Sequence, residues 1–261
     1  MESALASIFR NLSRYFSTYK VVSGEEMLCA IEAEVDKLSE ETVKGLEEWL
    51  KGNLEEVIFQ SIVSEPVSIY SPNMTGKRNY LGEIFYLQPI HTYRMEELEQ
   101  AFDRLVKLRA PVILPRMEAA TNNFLTKGGY DVIGCLDKQE VIQHKEMMAA
   151  KGEYKLYLYL IPSIVSVTEF DLSAERVADQ VMVVPTEKTP APFINFARDY
   201  LGDFAGKVQI WVADVDQEVI NPFLGGPKDK ELDKKFGSPE LAYLAARIFQ
   251  SQRLSQLSEE D

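Results

Sequence analysis

Histidine and cysteine are almost missing from this 261-residue chain, which has two of each. Two histidines exclude a histidine-rich metal centre. They also leave a Ser-His or Cys-His mechanism only His91 or His144 as its base. His144, between Gln143 and Lys145, reads as a solvated imidazole on an exposed helix. Cys29 and Cys135 lie far apart among apolar neighbours. They form neither a disulfide framework nor a zinc site and are expected to be buried thiols in a reducing cytosol.

Catalytic and phosphate-binding signatures are missing too. No Gly-x-Ser-x-Gly elbow, no Gly-x-Gly-x-x-Gly after a strand and no Walker-type loop occurs. Gly225-Gly226-Pro227 leads into Lys228-Asp229-Lys230 and reads as a turn. No long hydrophobic run exists: the stretch from Leu156 to Val167 is interrupted by Pro162, Ser163 and Ser166, well short of the roughly 20 residues a membrane helix needs. Met1-Glu2-Ser3-Ala4-Leu5 lacks the basic-then-apolar order of a signal peptide. Positive charge is also scarce, with 28 Lys and Arg against 41 Asp and Glu and a net charge of −13. That balance disfavours general nucleic-acid binding and docking on an anionic membrane. The expectation is a soluble, cytoplasmic protein.

What is present is apolar periodicity, with 46% hydrophobic residues. Residues 1–63 read as a helical segment. Leu5, Ile8, Phe9, Leu12 and Phe16 share one face. Ser23 with Glu26 forms a capping box ahead of Met27, Leu28, Ile31, Val35 and Leu38. Ser39 caps a third helix with Val43, Leu46, Trp49 and Leu50 inward, and Asn53 with Glu56 starts a fourth. Between residues 25 and 56, eleven acidic residues face three lysines. DNA contact by these helices is therefore disfavoured, and a solvated or protein-docking face is expected. Residues 64–80 carry turn chemistry (Glu65-Pro66, Ser71-Pro72-Asn73, Gly76-Lys77-Arg78-Asn79) and read as a linker.

Residues 81–257 read as an α/β domain, or α+β: a mixed, largely buried sheet flanked by helices. A strand is expected over 84–90, then a helix ending before Pro111. A short strand, Val112-Ile113-Leu114, lies between prolines, and a helix through Met117 and Phe124 is closed by Gly128-Gly129. A strand over 130–136 and a helix over 138–150 come next. Tyr154 to Ile161 is the clearest strand, apolar on both faces. After an undefined piece over 168–178 the pattern continues with a strand at 181–184, a helix through Phe193, Phe196 and Tyr200, a strand at 207–213 and a helix opening at Ser238-Pro239. Phe223 and Leu224 read as a core plug. Residues 258–261 form a frayed acidic tail.

The candidate site sits on the β-α-β unit over 179–229. Parallel strands at 181–184 and 208–213 would deliver Thr186, Glu187, Lys188 and Thr189 from one loop and Asp214, Asp216 and Glu218 from the next to a single edge. Thr186, Glu187, Lys188 and Asp214 are the ligand-binding candidates. Glu187, Asp214 and Asp216 are the metal-ligating candidates, for Mg2+ or Mn2+, with Lys188 as electrostatic partner. Other readings of these carboxylates fit less well. A toprim-type centre needs a further strand-helix unit between Glu187 and Asp214, and the interval leaves no room. A restriction-endonuclease-like core is matched in letters by Asp131 with Glu153-Tyr154-Lys155, but the helix expected at 138–150 interrupts the hairpin. Glu187 and Lys188, being adjacent, point to opposite faces. Two functions stay open: a non-catalytic binding or regulatory protein, with the acidic helices serving a partner or self-association, and a divalent-metal-dependent phosphoryl-transfer enzyme or nuclease.

Overall fold

A computed structural model describes residues 2–64, 72–89, 92–139, 142–170 and 179–238. The helix expected from Ser238-Pro239 onward, the frayed tail, His91 and part of the 64–80 linker lie outside those residues. The fold is α+β, with a three-stranded sheet and a six-stranded mixed sheet. The chain divides into two compact units, Met1–Leu108 and Arg109–Asp261.

The first unit opens with four helices: α1 (Glu2–Thr18), α2 (Gly24–Val35), α3 (Glu40–Leu50) and α4 (Leu54–Val63). Three begin where their caps require. Ser23 Oγ accepts from Glu26 N at 3.1 Å, Ser39 Oγ from Thr42 N at 3.3 Å and Asn53 Oδ1 from Glu56 N at 3.0 Å. Each cap satisfies an amide that the first helical turn leaves without an intrahelical acceptor. Ile8, Leu12, Phe16, Met27, Ile31, Leu46, Leu54, Ile58 and Ile62 bury their side chains together.

The segment is not wholly helical. Strand β1 (Val21–Ser23) precedes α2 and pairs antiparallel with β3 (Glu83–Leu87), which also pairs with β2 (Gly76–Tyr80). Residues 76–80, read as turn chemistry, are therefore a strand. The turn is the next pair, Leu81 and Gly82, both at positive φ (52° and 86°) as a two-residue type I′ hairpin demands. A leucine in that conformation is uncommon, which hid the hairpin.

Helix α5 (Met95–Lys127) is one continuous element, and the division between the units falls inside it. The break before Pro111 and the strand at 112–114 do not occur. Pro111 and Pro115 sit within the helix, where each removes a donor at a cost of roughly 3 kcal/mol. The apolar stripe explains why the helix survives. Leu98, Phe102 and Leu105 before the prolines, and Ala110, Leu114, Met117 and Phe124 around and after them, are all buried. Helical spacing is kept right through the proline pair.

Within the first unit, Arg104 on α5 binds α2 and β1. Its Nε reaches Glu26 Oε1 at 2.6 Å, its Nη2 donates to the Val21 carbonyl at 2.6 Å, and its guanidinium lies 4.7 Å from the centroid of Tyr19. Tyr15 Oη donates to the same Glu26 oxygen at 3.0 Å. Burial and the Glu26 charge push the Tyr15 phenol far above its ordinary value. Glu26, a capping-box residue at the start of α2, is thus buried and matched by one cation.

In the second unit the sheet order is β4-β5-β6-β7-β8-β9: β4 (Asp131–Gln139), β5 (Gln143–Lys151), β6 (Tyr154–Leu160), β7 (Asp179–Pro185), β8 (Gln209–Asp214) and β9 (Val219–Leu224). Strands β4, β5 and β6 form an antiparallel meander, β6-β7-β8 are parallel, and β9 returns antiparallel. The helix expected at 138–150 is strand β5. Its Glu, Met, Ala and Lys residues favour a helix when alone, but Met147 and Ala149 alternate into the core and both edges are paired.

Alternation along the parallel strands builds two cores. Leu156, Leu158, Leu160, Val181, Val183 and Trp211 face α5. Tyr159, Ile161, Met182, Val184, Ile210 and Val212 face α6 (Ala191–Asp199), α7 (Leu201–Phe204) and a 3-10 turn (Val165–Glu169). A last short helix, α8 (Lys230–Asp233), sets Leu232 on the α5 side. Phe223, read as a plug, sits on β9 and packs its ring 5.3 Å from that of Phe193.

Replacing Arg104 with Met should destabilise the first unit by roughly 2–4 kcal/mol, because Glu26 would keep a buried charge with only the Tyr15 hydroxyl and no cation against it. Amide hydrogen exchange localises the effect: protection should fall across α1, α2 and β1 and stay unchanged across β6-β8.

Candidate functional site

Strands β4, β6, β7 and β8 all run in the same sense, so their carboxyl ends meet one edge of the sheet. Register fixes the alignment. Asp137, Lys145, Leu160, Val183 and Trp211 form one row across five strands, and Pro185 pairs with Ala213 one step before the edge. Thr186 N extends the ladder to Ala213 O at 3.0 Å. The loops after β7 and β8 therefore emerge side by side.

Within that edge the carboxylates are each held by a different neighbour. Glu187 Oε1 accepts from Ser163 Oγ at 2.6 Å and from Ile164 N at 3.2 Å, which ties it to the chain leaving β6. Asp214 Oδ1 accepts from Asp216 N at 3.1 Å and Gln217 N at 2.9 Å, an Asx-type closure of the β8-β9 hairpin. That closure accompanies a positive φ of 52° at Glu218. Asp216 pairs with Arg116 of α5 at 2.5 Å, and the same guanidinium reaches the Val215 carbonyl at 3.3 Å. Thr189 is buried, and its Oγ1 accepts from Ala191 N at 3.2 Å in the first turn of α6. Lys188 is half-buried in the same loop.

Topology thus brings the loops carrying Thr186, Glu187, Lys188, Asp214 and Asp216 to one edge. The side chains are directed apart: Glu187 toward the β6 loop, Asp214 into its own turn, Asp216 onto α5. Among the described residues, no group of three or more His, Cys, Asp or Glu side chains is arranged to hold a metal ion.

The second carboxylate pattern changes in another way. Because β5 is a strand, the meander that Asp131 and Glu153-Tyr154-Lys155 would need is continuous. Asp131 and Lys155 flank Ala150 in one cross-strand row, while Glu153 falls in the β5-β6 turn; all three are exposed.

Two polar clusters at the same edge were hidden by the helical reading of 138–150. On the α5 side, Lys145 Nζ lies 2.7 Å from Glu118 Oε2 and 3.0 Å from Asp137 Oδ1. Hydrogen bonding to Glu118 holds the Lys145 ammonium well above the ordinary lysine range, burial opposing. On the other face, His144 is buried, not solvated. Its Nδ1 donates to the Ile142 carbonyl at 2.9 Å, the tautomer that an acceptor-only carbonyl requires. Its Nε2 lies 3.8 Å from Glu146 Oε1, and its ring is edge-on to Phe170 at 4.9 Å. Tyr157 Oη donates to Glu146 Oε2 at 2.5 Å. The available signal was the period of two in Met147 and Ala149.

The thiols differ from expectation in burial. Cys29 is exposed and Cys135 partly so. Both remain protonated: burial, then Glu32, Glu25 and Glu26, raises Cys29, and burial, then Glu118, pushes Cys135 up to about 11. Neither is a reactive thiolate.

Replacing Lys145 with Met should cost roughly 1–3 kcal/mol, mainly through the partly buried Glu118, since Asp137 is 76% exposed. With a raised native pKa, the Lys145 contribution is complete below the unfolded lysine value near ~10.4 and fades as pH climbs through the native value. Urea unfolding of wild type and variant at pH 7 and pH 11 should therefore show a gap that narrows at the higher pH.

Comparison with known proteins adds little chemistry. No curated protein matches the chain. Residues 111–238, running from within α5 to just past α8, match the family described as Domain of unknown function (DUF6834), C-terminal domain.

Proposed function

We propose that this chain is a non-catalytic binding or regulatory protein whose second unit recognises a small ligand or a partner at the carboxyl edge of β6, β7 and β8. One observation carries the reading: three consecutive parallel strands release Ser163-Ile164, Thr186–Thr189 and Asp214–Glu218 at the same edge. Open α/β sheets take their ligands there. Glu187 and Asp214 are held by two hydrogen bonds each, so they are oriented before anything binds. The edge loops carry Glu187, Asp214, Asp216 and Glu218 against Lys188, and Arg116 is already paired. That excess favours an amine-bearing organic ligand. The acidic helices α2 and α3 suit a basic partner protein by the same argument. No described helix is long and apolar enough to cross a membrane, in keeping with a cytoplasmic setting.

The competing reading is a divalent-metal-dependent phosphoryl-transfer enzyme or nuclease with Glu187, Asp214 and Asp216 as ligands. Titration of the full chain with MnCl2 or MgCl2 separates the two. The binding reading expects no heat at millimolar metal, whereas an isotherm that disappears in Asp214→Ala would establish the enzyme reading in its place. Spermidine is a suitable amine probe. It should shift the backbone amide resonances of residues 186–189 and 214–218, and Glu187→Gln should weaken the response several-fold. Shifts confined to other regions would discard this edge as the binding site.

A further inference from the structure

His144 is a buried titratable group that neither the cores nor the proposed edge account for. It lies on the face of the sheet away from α5 and is 3% exposed. Its Nδ1 is satisfied by the Ile142 carbonyl, while its Nε2 makes no hydrogen bond and faces Glu146 Oε1 across 3.8 Å. Glu146 divides its two oxygens. Oε2 accepts from Tyr157 Oη at 2.5 Å, with Lys138 Nζ at 4.0 Å, whereas Oε1 has no hydrogen-bond donor among the described residues. A neutral imidazole thus sets a bare lone pair against a carboxylate oxygen, two acceptors with no hydrogen between them and little water to screen them. The other titratable groups around the ring are Lys138, its cross-strand neighbour on β4, and Tyr159 of β6 at 6.3 Å. Glu169, the charged residue of the 3-10 turn, is exposed.

We infer that His144 and Glu146 form a proton-operated clasp on β5, open while the imidazole is neutral and closed when it takes a proton at Nε2. Histidine suits this task, because its charge ordinarily changes within about pH 5–8. The proton comes from solvent, which reaches Glu146 at a side-chain exposure of 16%. The new N–H has its acceptor in place. Closing 3.8 Å to the roughly 2.8 Å of a charge-assisted N–H···O bond needs a shift of about 1 Å, and Oε2 keeps Tyr157 throughout. The ring does not make that shift alone. Phe170 stands edge-on against it at 4.9 Å and meets Tyr159 at 5.7 Å. From Phe170 the movement enters a hydrogen-bonded turn: Phe170 N donates to Val167 O, Val167 N to Ile164 O and Ser166 N to Ser163 O, each at 3.2 Å. Ser163 and Ile164 are the two residues that hold Glu187. Proton uptake at His144 is thereby coupled to the orientation of the Glu187 carboxylate, whatever that edge binds.

Nuclear magnetic resonance of the full chain, titrated from about pH 8 to about pH 5, reads imidazole and backbone signals together. The expected result is one titration curve shared by the His144 ring nitrogens and the backbone amides of residues 163–170 and 187. In Glu146→Gln the ring should still titrate, but the accompanying amide shifts should fall to about half or less, since the acceptor of the new N–H has lost its charge. His144→Gln should lose them altogether, with circular dichroism checking that both variants fold. An imidazole that titrates without moving residues 163–170, or that stays in one protonation state across the range, would overturn the clasp. Amide shifts undiminished in Glu146→Gln, or surviving in His144→Gln, would overturn it as well. No ligand enters the experiment, so these outcomes are separate from whether the edge binds an amine.

Discussion

Everything in the second unit depends on burying both faces of β6, β7 and β8 at once. A strand covered on each side has no solvent face to absorb a register error. A slip by one residue would move Leu156, Leu158 and Leu160 from the α5 core to the side of Tyr159 and Ile161. That constraint makes the strands parallel neighbours, because the crossovers between them must carry the 3-10 turn, α6 and α7 over a face. It also fixes the row from Asp137 to Trp211 and hence which side chains reach the carboxyl edge. The polar groups at that edge are consequences of core alternation.

Charge organises the surface in a comparable way. In the first unit the long-range ion pair of Arg104 with the well-buried Glu26 is reinforced by Tyr15, Tyr19 and the Val21 carbonyl. Exposed pairs such as Arg116 with Asp216 add little to stability. Lys145, set between Glu118 and Asp137, shows how a cation in a strand tolerates partial burial beside a core: its charge is matched twice. The net charge of −13 shapes what approaches the surface.

Much of the architecture was legible in the sequence. The caps at Ser23, Ser39 and Asn53 are local chemistry and read directly, as do the strand at Tyr154–Leu160 and the β-α-β unit after it. The helix through Pro111 and Pro115 was not legible, because its survival rests on burial along the stripe from Leu98 to Phe124, and local propensity opposes it. Strand β5 was missed for the same kind of reason: Gln143–Lys151 favours a helix in isolation and becomes a strand through pairing on two sides. With β5 misread, the surroundings of His144, Glu146 and Lys145 could not be foreseen. The loops of Glu187 and Asp214 were placed by topology, but Glu187 is directed by Ser163 and Asp216 by Arg116, both distant in sequence.

The unbroken course of α5 bears on how the molecule can be dissected. The family match begins at residue 111, at the midpoint of a helix that runs from Met95 to Lys127. A fragment trimmed to that match would begin on a proline. It would lack Ala110, a core residue, and expose amides at a fresh helix start that has no capping side chain of its own. Anyone expressing the second unit alone should therefore keep the natural beginning of the helix, and accept that Leu98, Phe102 and Leu105 would then need a solubilising change.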